Sequence, residues 1–190
     1  MKALFVCTGN ICRSPMGELL FPLFFHEPVE TESAGVQGLI DSPIDPSSAR
    51  LLTADGVDSQ HFRSRRLTPQ IARDSDLILC FTKHQRQRII ALAPRVRSRT
   101  FQLADFATIC SYCMEHNLIH EDTVEDRLDS ILQNASLIQI NLSSAQDIED
   151  PFRKEFSAFE TAHRQILECF AIIADALNPT QGSHIRQSNG

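Results

Sequence analysis

The chain has no apolar run long enough to cross a bilayer, which excludes a helical membrane protein. It has no surplus of positive charge: the formal net charge is −6, which gives no support to wholesale nucleic-acid binding. Two basic stretches, Arg63 to Arg66 and Arg95 to Arg99, lack the interleaved aromatics on which bases stack and read as solvated faces. Glycine is scarce, at seven residues, and none falls in the Gly-Lys-Ser/Thr or Gly-x-Gly-x-x-Gly patterns that cradle nucleotides. Ahead of polar Thr8-Gly9-Asn10 stand one lysine and a short apolar run, too brief for a signal peptide, so a cytoplasmic protein is expected. A composition of 42% hydrophobic and 22% charged residues excludes a disordered chain, and 190 residues can bury one full core.

What the chain does have is concentrated in Leu4-Phe5-Val6-Cys7-Thr8-Gly9-Asn10-Ile11-Cys12-Arg13-Ser14-Pro15. Ala3 to Val6 suits a buried strand, and Ser14-Pro15 suits a helix start, with serine as cap and proline tolerated in the first turn. A turn between them points free amide hydrogens into one concavity, and the helix N-terminus adds to the same positive field, so an oxyanion is attracted. Gly9, without a Cβ, and Asn10, tolerant of left-handed dihedrals, suit so tight a loop. Cys7 falls at the floor of this nest, where the helix N-terminus and a guanidinium favour a thiolate. Arg13 offers a fork that matches two phosphoryl oxygens. A strand-end cysteine alone is ordinarily a packing residue. The ordered coincidence of Cys7, Gly9, Asn10, Arg13, Ser14 and Pro15 points instead to a phosphate-binding nucleophile loop. Six cysteines could close three bridges, but a thiolate nucleophile needs a reducing compartment, which again favours the cytoplasm.

Around this loop strands and helices alternate. Strands are expected near 2–6, 30–34, 77–81 and 100–103, and helices near 14–26, 46–55, 69–73 and 83–92. Pro22 lies inside the first helix and is expected to kink it. Such alternation predicts an α/β fold whose parallel sheet is covered on both faces, with the loop at the carboxyl ends of the strands. Phe152, Phe156, Phe159, His163, Ile166, Phe170, Ile173 and Leu177 recur at helical spacing, which predicts a last helix over 152–177 that covers the sheet and stops at Asn178-Pro179. Residues 181–190 have little to bury and are expected to form a flexible tail.

The segment VCTGNICRSPMGE resembles the signature of the low-molecular-weight protein tyrosine phosphatases. Glu32-Ser33-Ala34-Gly35, Pro43-Ile44-Asp45-Pro46, Arg63 to Thr68, Asp76 to Leu79 and Asp150-Pro151-Phe152 resemble later family segments in the family's order, so the likeness covers most of 1–103 and 148–177. It implies a three-layer α/β/α fold with a four-stranded parallel sheet in the order 2-1-3-4, forming one phosphatase domain over 1–180. It implies hydrolysis of phosphotyrosine through a cysteinyl-phosphate on Cys7, without a metal or other cofactor. The backbone through Thr8, Gly9, Asn10, Ile11, Cys12 and Arg13 would bind the equatorial oxygens; Ser14 would steady the Cys7 thiolate, and Asn10 would keep the loop in shape. Asp150-Pro151 alone reads first as a turn or helix cap, and Asp147 or Glu149 could do similar local work. The resemblance singles out Asp150 as the proton donor. Phe152 offers the substrate ring an apolar wall, whereas Arg153 stands where the family often has a small or aromatic residue, and the loop 36–40 lacks the large aromatic of some relatives. Cys12 is either a packing residue or the partner in a reversible bond that protects Cys7, and the resemblance favours the second.

The largest departure lies between Leu103 and Ile148. Residues 105–118 and 121–133 look helical, and Leu137 to Leu142 reads as an extra apolar strand or loop. This suggests a helical insertion over 104–147 near the active-site rim, able to shape access or self-association. Within it, Cys110, Cys113, His116 and His120 are metal-ligand types, but on one helix they do not converge without a reversal, and packing is the expectation. Two other functions share the loop. A thioredoxin-coupled arsenate reductase would pass oxidation through further cysteines, starting at Cys80, although residues 81–92 hold no second one; a phosphate-binding module would lack turnover. The expected partner is a phosphotyrosine protein or small aryl phosphate, neither nucleic acid nor membrane, with the chain a monomer or weak dimer.

Overall fold

The computed structural model describes residues 1–141, 143 and 145–179. In β1 (Lys2–Cys7), Ala3, Phe5 and Cys7 face one core while Leu4 and Val6 face another, because successive side chains of a strand point to opposite sides. β3 (Leu77–Cys80) divides in the same way, with Leu77 and Leu79 on the first side and Ile78 and Cys80 on the second. Burial on both faces is why these strands read as unbroken apolar runs. β1 pairs in parallel with β2 (Glu30–Gly35) and β3, and β3 with β4 (Thr100–Gln102), which makes the order β2-β1-β3-β4 that the family pattern implies.

Helices complete three layers. The first core is built from α1 (Arg13–Leu20), α2 (Pro46–Ala54), α5 (Leu103–Glu115), α6 (Val124–Asn141) and α7 (Phe156–Leu177). The second is built from α3 (Pro69–Arg73) and α4 (Lys83–Leu92). α1 crosses β1 so closely that a Cβ on Gly17 would lie 2.4 Å from Cγ of Phe5. Phe5, Phe21 and Phe170 then meet edge to face, with ring centroids 4.9 to 5.4 Å apart. This packing sets how near the N-terminus of α1 comes to Cys7. No described helix is long and apolar enough to cross a membrane.

Four expectations need correction. Pro22 does not kink α1; the helix ends at Leu20 and Phe21–Phe24 is a 3-10 turn, since proline cannot extend the i to i−4 ladder. α7 starts at Phe156 rather than Phe152, because residues 150–153 turn: Phe152 N donates to Asp150 Oδ1 and Arg153 sits at φ 62. Residues 137–141 continue α6 instead of forming a strand, and within them Leu137 and Ile140 are exposed while Ile138 is buried. A short apolar run does not distinguish the two by pattern. Leu142 of that stretch and the tail 181–190 lie outside the described residues. Finally, the segment 104–147 is not at the active-site rim: α5 packs beneath the sheet against α7, α6 packs on both, and no described residue of this segment lines the cleft at Cys7.

Candidate active site

β1 ends at Cys7 and α1 begins at Arg13, so Thr8 to Cys12 form the connecting loop. Its one left-handed residue is Asn10, at φ 60. Gly9 is not left-handed, and a Cβ there would meet only Ile11, at 3.5 Å or more, so the tightness of the turn rests on Asn10. The Asn10 side chain is buried and fully used. Its Oδ1 accepts from the Arg65 amide at 2.8 Å, and its Nδ2 donates to Ser14 Oγ at 2.9 Å and Ser33 Oγ at 2.7 Å. Both serine oxygens therefore already accept a hydrogen, and each serine has its own left to give. Ser33 donates to Glu18 Oε2 at 2.5 Å, and Ser14 Oγ lies 2.9 Å from Cys7 Sγ. The Asn10 amide also points at that sulfur, 3.2 Å away. Two donors converging on sulfur suit a thiolate. Ser14 is thus not the helix cap the sequence suggests; the cap position is Cys12, which makes no side-chain cap bond.

Arg13 is buried, with its guanidinium carbon 5.7 Å from the Phe81 ring centroid. One terminal nitrogen donates to the Ile148 carbonyl at 2.7 Å, the other lies 2.7 Å from Asp150 Oδ2, and the buried Nε has no hydrogen-bond partner. A phosphoryl oxygen would satisfy such a donor, whose isolation costs about 1–3 kcal/mol.

The three acids ahead of α7 have separate partners. Asp147 accepts from the Lys83 amide at 2.9 Å and from Gln102 Nε2 at 2.7 Å, which ties this segment to the start of α4 and the end of β4. Glu149 pairs with Lys154 at 2.9 Å. Asp150 alone faces Arg13, from a half-exposed position at the edge of the cleft.

The cleft holds about 280 Å³ and is lined by Cys7, Thr8, Gly9, Ile11, Cys12, Gln37, Leu39, Asp150, Phe152 and Arg153. Of the expected residues, Asn10, Arg13 and Ser14 are buried rather than part of its wall. Leu39 takes part in the wall where the sequence shows no large aromatic. Larger grooves border α6, but they contain neither Cys7 nor Arg13. Two contributors gave no signal in the sequence. Gln85, buried at the start of α4, accepts from the Phe81 amide at 2.9 Å and donates to Thr8 Oγ1 at 3.2 Å. Ile148 receives Arg13 through its carbonyl while its own amide donates to the Phe81 carbonyl, a backbone contact that no residue type announces.

Of the other thiols, Cys12 shares the cleft with Cys7, whereas Cys80, Cys110 and Cys113 lie away from it. Cys80 is sealed in the second core with Sγ 3.3 Å from the Phe101 carbonyl, and burial pushes its pKa up to about 12. Burial likewise pushes Cys12 far upward, an effect that the charge of Asp45 reinforces. Cys110 and Cys113 lie in the first core, His116 stacks on Tyr112, and His120 is exposed; among the described residues no three such side chains are grouped as metal ligands.

Residues 2–118 match the family model for low molecular weight phosphotyrosine protein phosphatases. The chain belongs to that family. Among low-molecular-weight protein-tyrosine-phosphatases, it is 42% identical over 97 residues to Etp of Escherichia coli K12, covering 51% of this chain and 65% of Etp. It therefore spans just under two thirds of that relative. It is 28% identical over 181 residues to Wzb of Salmonella typhi, covering 95% of this chain and 97% of Wzb. The tyrosine phosphatase AmsI of Erwinia amylovora superimposes with a TM-score of 0.67 at 27% identity, covering 93% of this chain and 92% of AmsI. Family membership thus coincides with the loop, the sheet order and the cleft described above.

Proposed function

We propose that this protein is a protein tyrosine phosphatase that hydrolyses phosphotyrosine and related aryl phosphates through a phosphorylated Cys7. One observation carries the reading: Cys7 and Asp150 line one cleft, and the buried Arg13 guanidinium behind its wall reaches the Asp150 carboxylate at 2.7 Å. A phosphate dianion entering it takes the place of Asp150 on Arg13, which holds two nonbridging oxygens and orients phosphorus for in-line attack. The released Asp150, protonated, gives its proton to the leaving oxygen as the sulfur–phosphorus bond forms and the phosphorus–oxygen ester bond breaks. Water then attacks the phosphocysteine with Asp150 as base, and Ser14 donates to the departing sulfur. Ile11, Leu39 and Phe152 give the cleft apolar sides that suit a phenyl ring. A serine ester is too short to place its phosphate at the floor and still reach them.

The thiol relay of an arsenate reductase finds no support, because Cys80 is fully enclosed and bonded inside the core. A thiolate nucleophile also favours the cytoplasm, and the substrate would be a phosphotyrosine protein or a small aryl phosphate. The deciding measurement is phosphate release from an aryl phosphate by the native protein and by Cys7→Ser, followed by phosphotyrosine and phosphoserine peptides. Cys7→Ser is expected to lose activity by at least about a thousandfold, and phosphotyrosine to exceed phosphoserine by about a hundredfold. Turnover that survives Cys7→Ser, or a phosphoryl group trapped on another residue, would overturn the proposal.

A further inference from the structure

We infer that Arg153 reads an acidic side chain adjacent to the phosphotyrosine, so that the preferred substrates are phosphotyrosine segments with Asp or Glu next to the modified residue. The inference rests on the phosphatase reading and names the substrate class of the same cleft. Arg153 lines the cleft beside Phe152, and its guanidinium carbon lies 5.1 Å from the Phe152 ring centroid. Its cation is therefore placed at the rim of the wall proposed for the substrate ring.

The backbone there is unusual. Arg153 sits at φ 62, in the left-handed region where glycine is free of strain and arginine is not. The turn is closed by the Lys154 amide on the Pro151 carbonyl at 2.9 Å, and it presents Arg153 while Asp150 faces Arg13. Charge separates the two cations that follow Phe152. Lys154 is taken up by Glu149 at 2.9 Å, whereas Arg153 has no carboxylate within salt-bridge distance among the described residues. A guanidinium presented on an apolar rim, with Asp150 held by Arg13 and Glu149 by Lys154, matches a carboxylate from an incoming chain through two parallel hydrogen bonds. A phosphotyrosine whose phosphate reaches Cys7 leaves its neighbouring residues at that rim.

The test compares kcat/KM for phosphotyrosine peptides that differ only in the residue immediately before or after the phosphotyrosine, which is Glu, Gln or Lys. They are measured with the native protein, Arg153→Gln and Arg153→Lys at low and high salt. The native protein is expected to favour Glu over Lys on one side by about three- to tenfold, mainly through KM, because a rim contact is the same in ground and transition states. That ratio is expected to fall below about twofold in Arg153→Gln, to persist in part in Arg153→Lys, and to shrink with salt. Taking the ratio within each variant cancels any general change in turnover. A native ratio near unity, or one that survives in Arg153→Gln, overturns the inference while leaving the phosphatase reading in place. Failure of the native protein to release phosphate from any peptide overturns both.

Discussion

Asp150 and Glu18 are carboxylates whose surroundings give them opposite work. Asp150 has one oxygen on Arg13 and the other accepting from the Phe152 amide, at the edge of the cleft that Cys7 also lines. Asp150→Ala is expected to lower kcat by about 10²–10⁴-fold for alkyl-like leaving groups and far less for nitrophenolate, which departs without a proton. A series of aryl phosphates of graded leaving-group basicity checks this, and an equal loss across the series would remove Asp150 from the proton-donor role. Glu18 supports the loop at one remove, through Ser33 and Asn10. Its burial raises its pKa against the opposing pull of Ser33 and Arg65. The native state therefore keeps the Glu18 proton to higher pH than the unfolded chain does, and stability falls as pH rises from the ordinary glutamate range through that raised value. Glu18→Gln, which cannot ionise, is expected to gain stability relative to the native protein across that window. Thermal midpoints taken from pH 4 to 7 measure it, and a difference independent of pH would refute the assignment. Asn10 shows what a motif can convey at this scale. Its tolerance of a left-handed backbone was legible, whereas its partners Ser33 and Arg65 come from distant positions that no local spacing reveals.

At the scale of elements, Gly17 decides how α1 lies on β1. Helix propensity alone would make Gly17→Ala stabilising by about 1 kcal/mol. The Phe5 ring occupies the space of the new methyl, so the substitution is expected to destabilise by about 1–3 kcal/mol and to move the loop relative to Cys7. Urea midpoints together with kcat would show both effects, and a stabilised variant would mean that the contact relaxes without cost. Strands β1 and β3 were easy to read because burial on two faces demands an apolar run. The start of α7 was not, because Phe152 continues the spacing of the stripe while Pro151 and the turn at Arg153 keep it out of the helix. The exposed end of α6 misled for the opposite reason: Leu137 and Ile140 are apolar without being covered. Buried Arg127 explains how that helix is nonetheless anchored, since it donates to the Ala176 carbonyl at 2.8 Å and the Glu121 carbonyl at 2.9 Å.

Across the whole molecule, parallel strands deliver their carboxyl ends to one edge, and there the loop after β1, the turn after β2, the start of α4 and residues 148–153 converge. The same packing sorts the thiols. Cys80, Cys110 and Cys113 are enclosed in the two cores, while Cys7 and Cys12 share the cleft. Peroxide is therefore expected to convert Cys7 to a sulfenic acid, which Cys12 then condenses with to form a disulfide and water. Full recovery of activity with a dithiol in the native protein, and poor recovery in Cys12→Ser, would show it; equal recovery in both would return Cys12 to a packing role. By itself the sequence determined the family's signature loop after β1 and the alternation that builds a covered parallel sheet, because both are written in neighbouring residues and short periods. Only the tertiary structure decided which of Asp147, Glu149 and Asp150 faces Arg13, that Ile148 and Gln85 join the site, and that Cys80 is sealed away. Those outcomes depend on where chain segments a hundred residues apart come to rest, and the packing of the layers sets that.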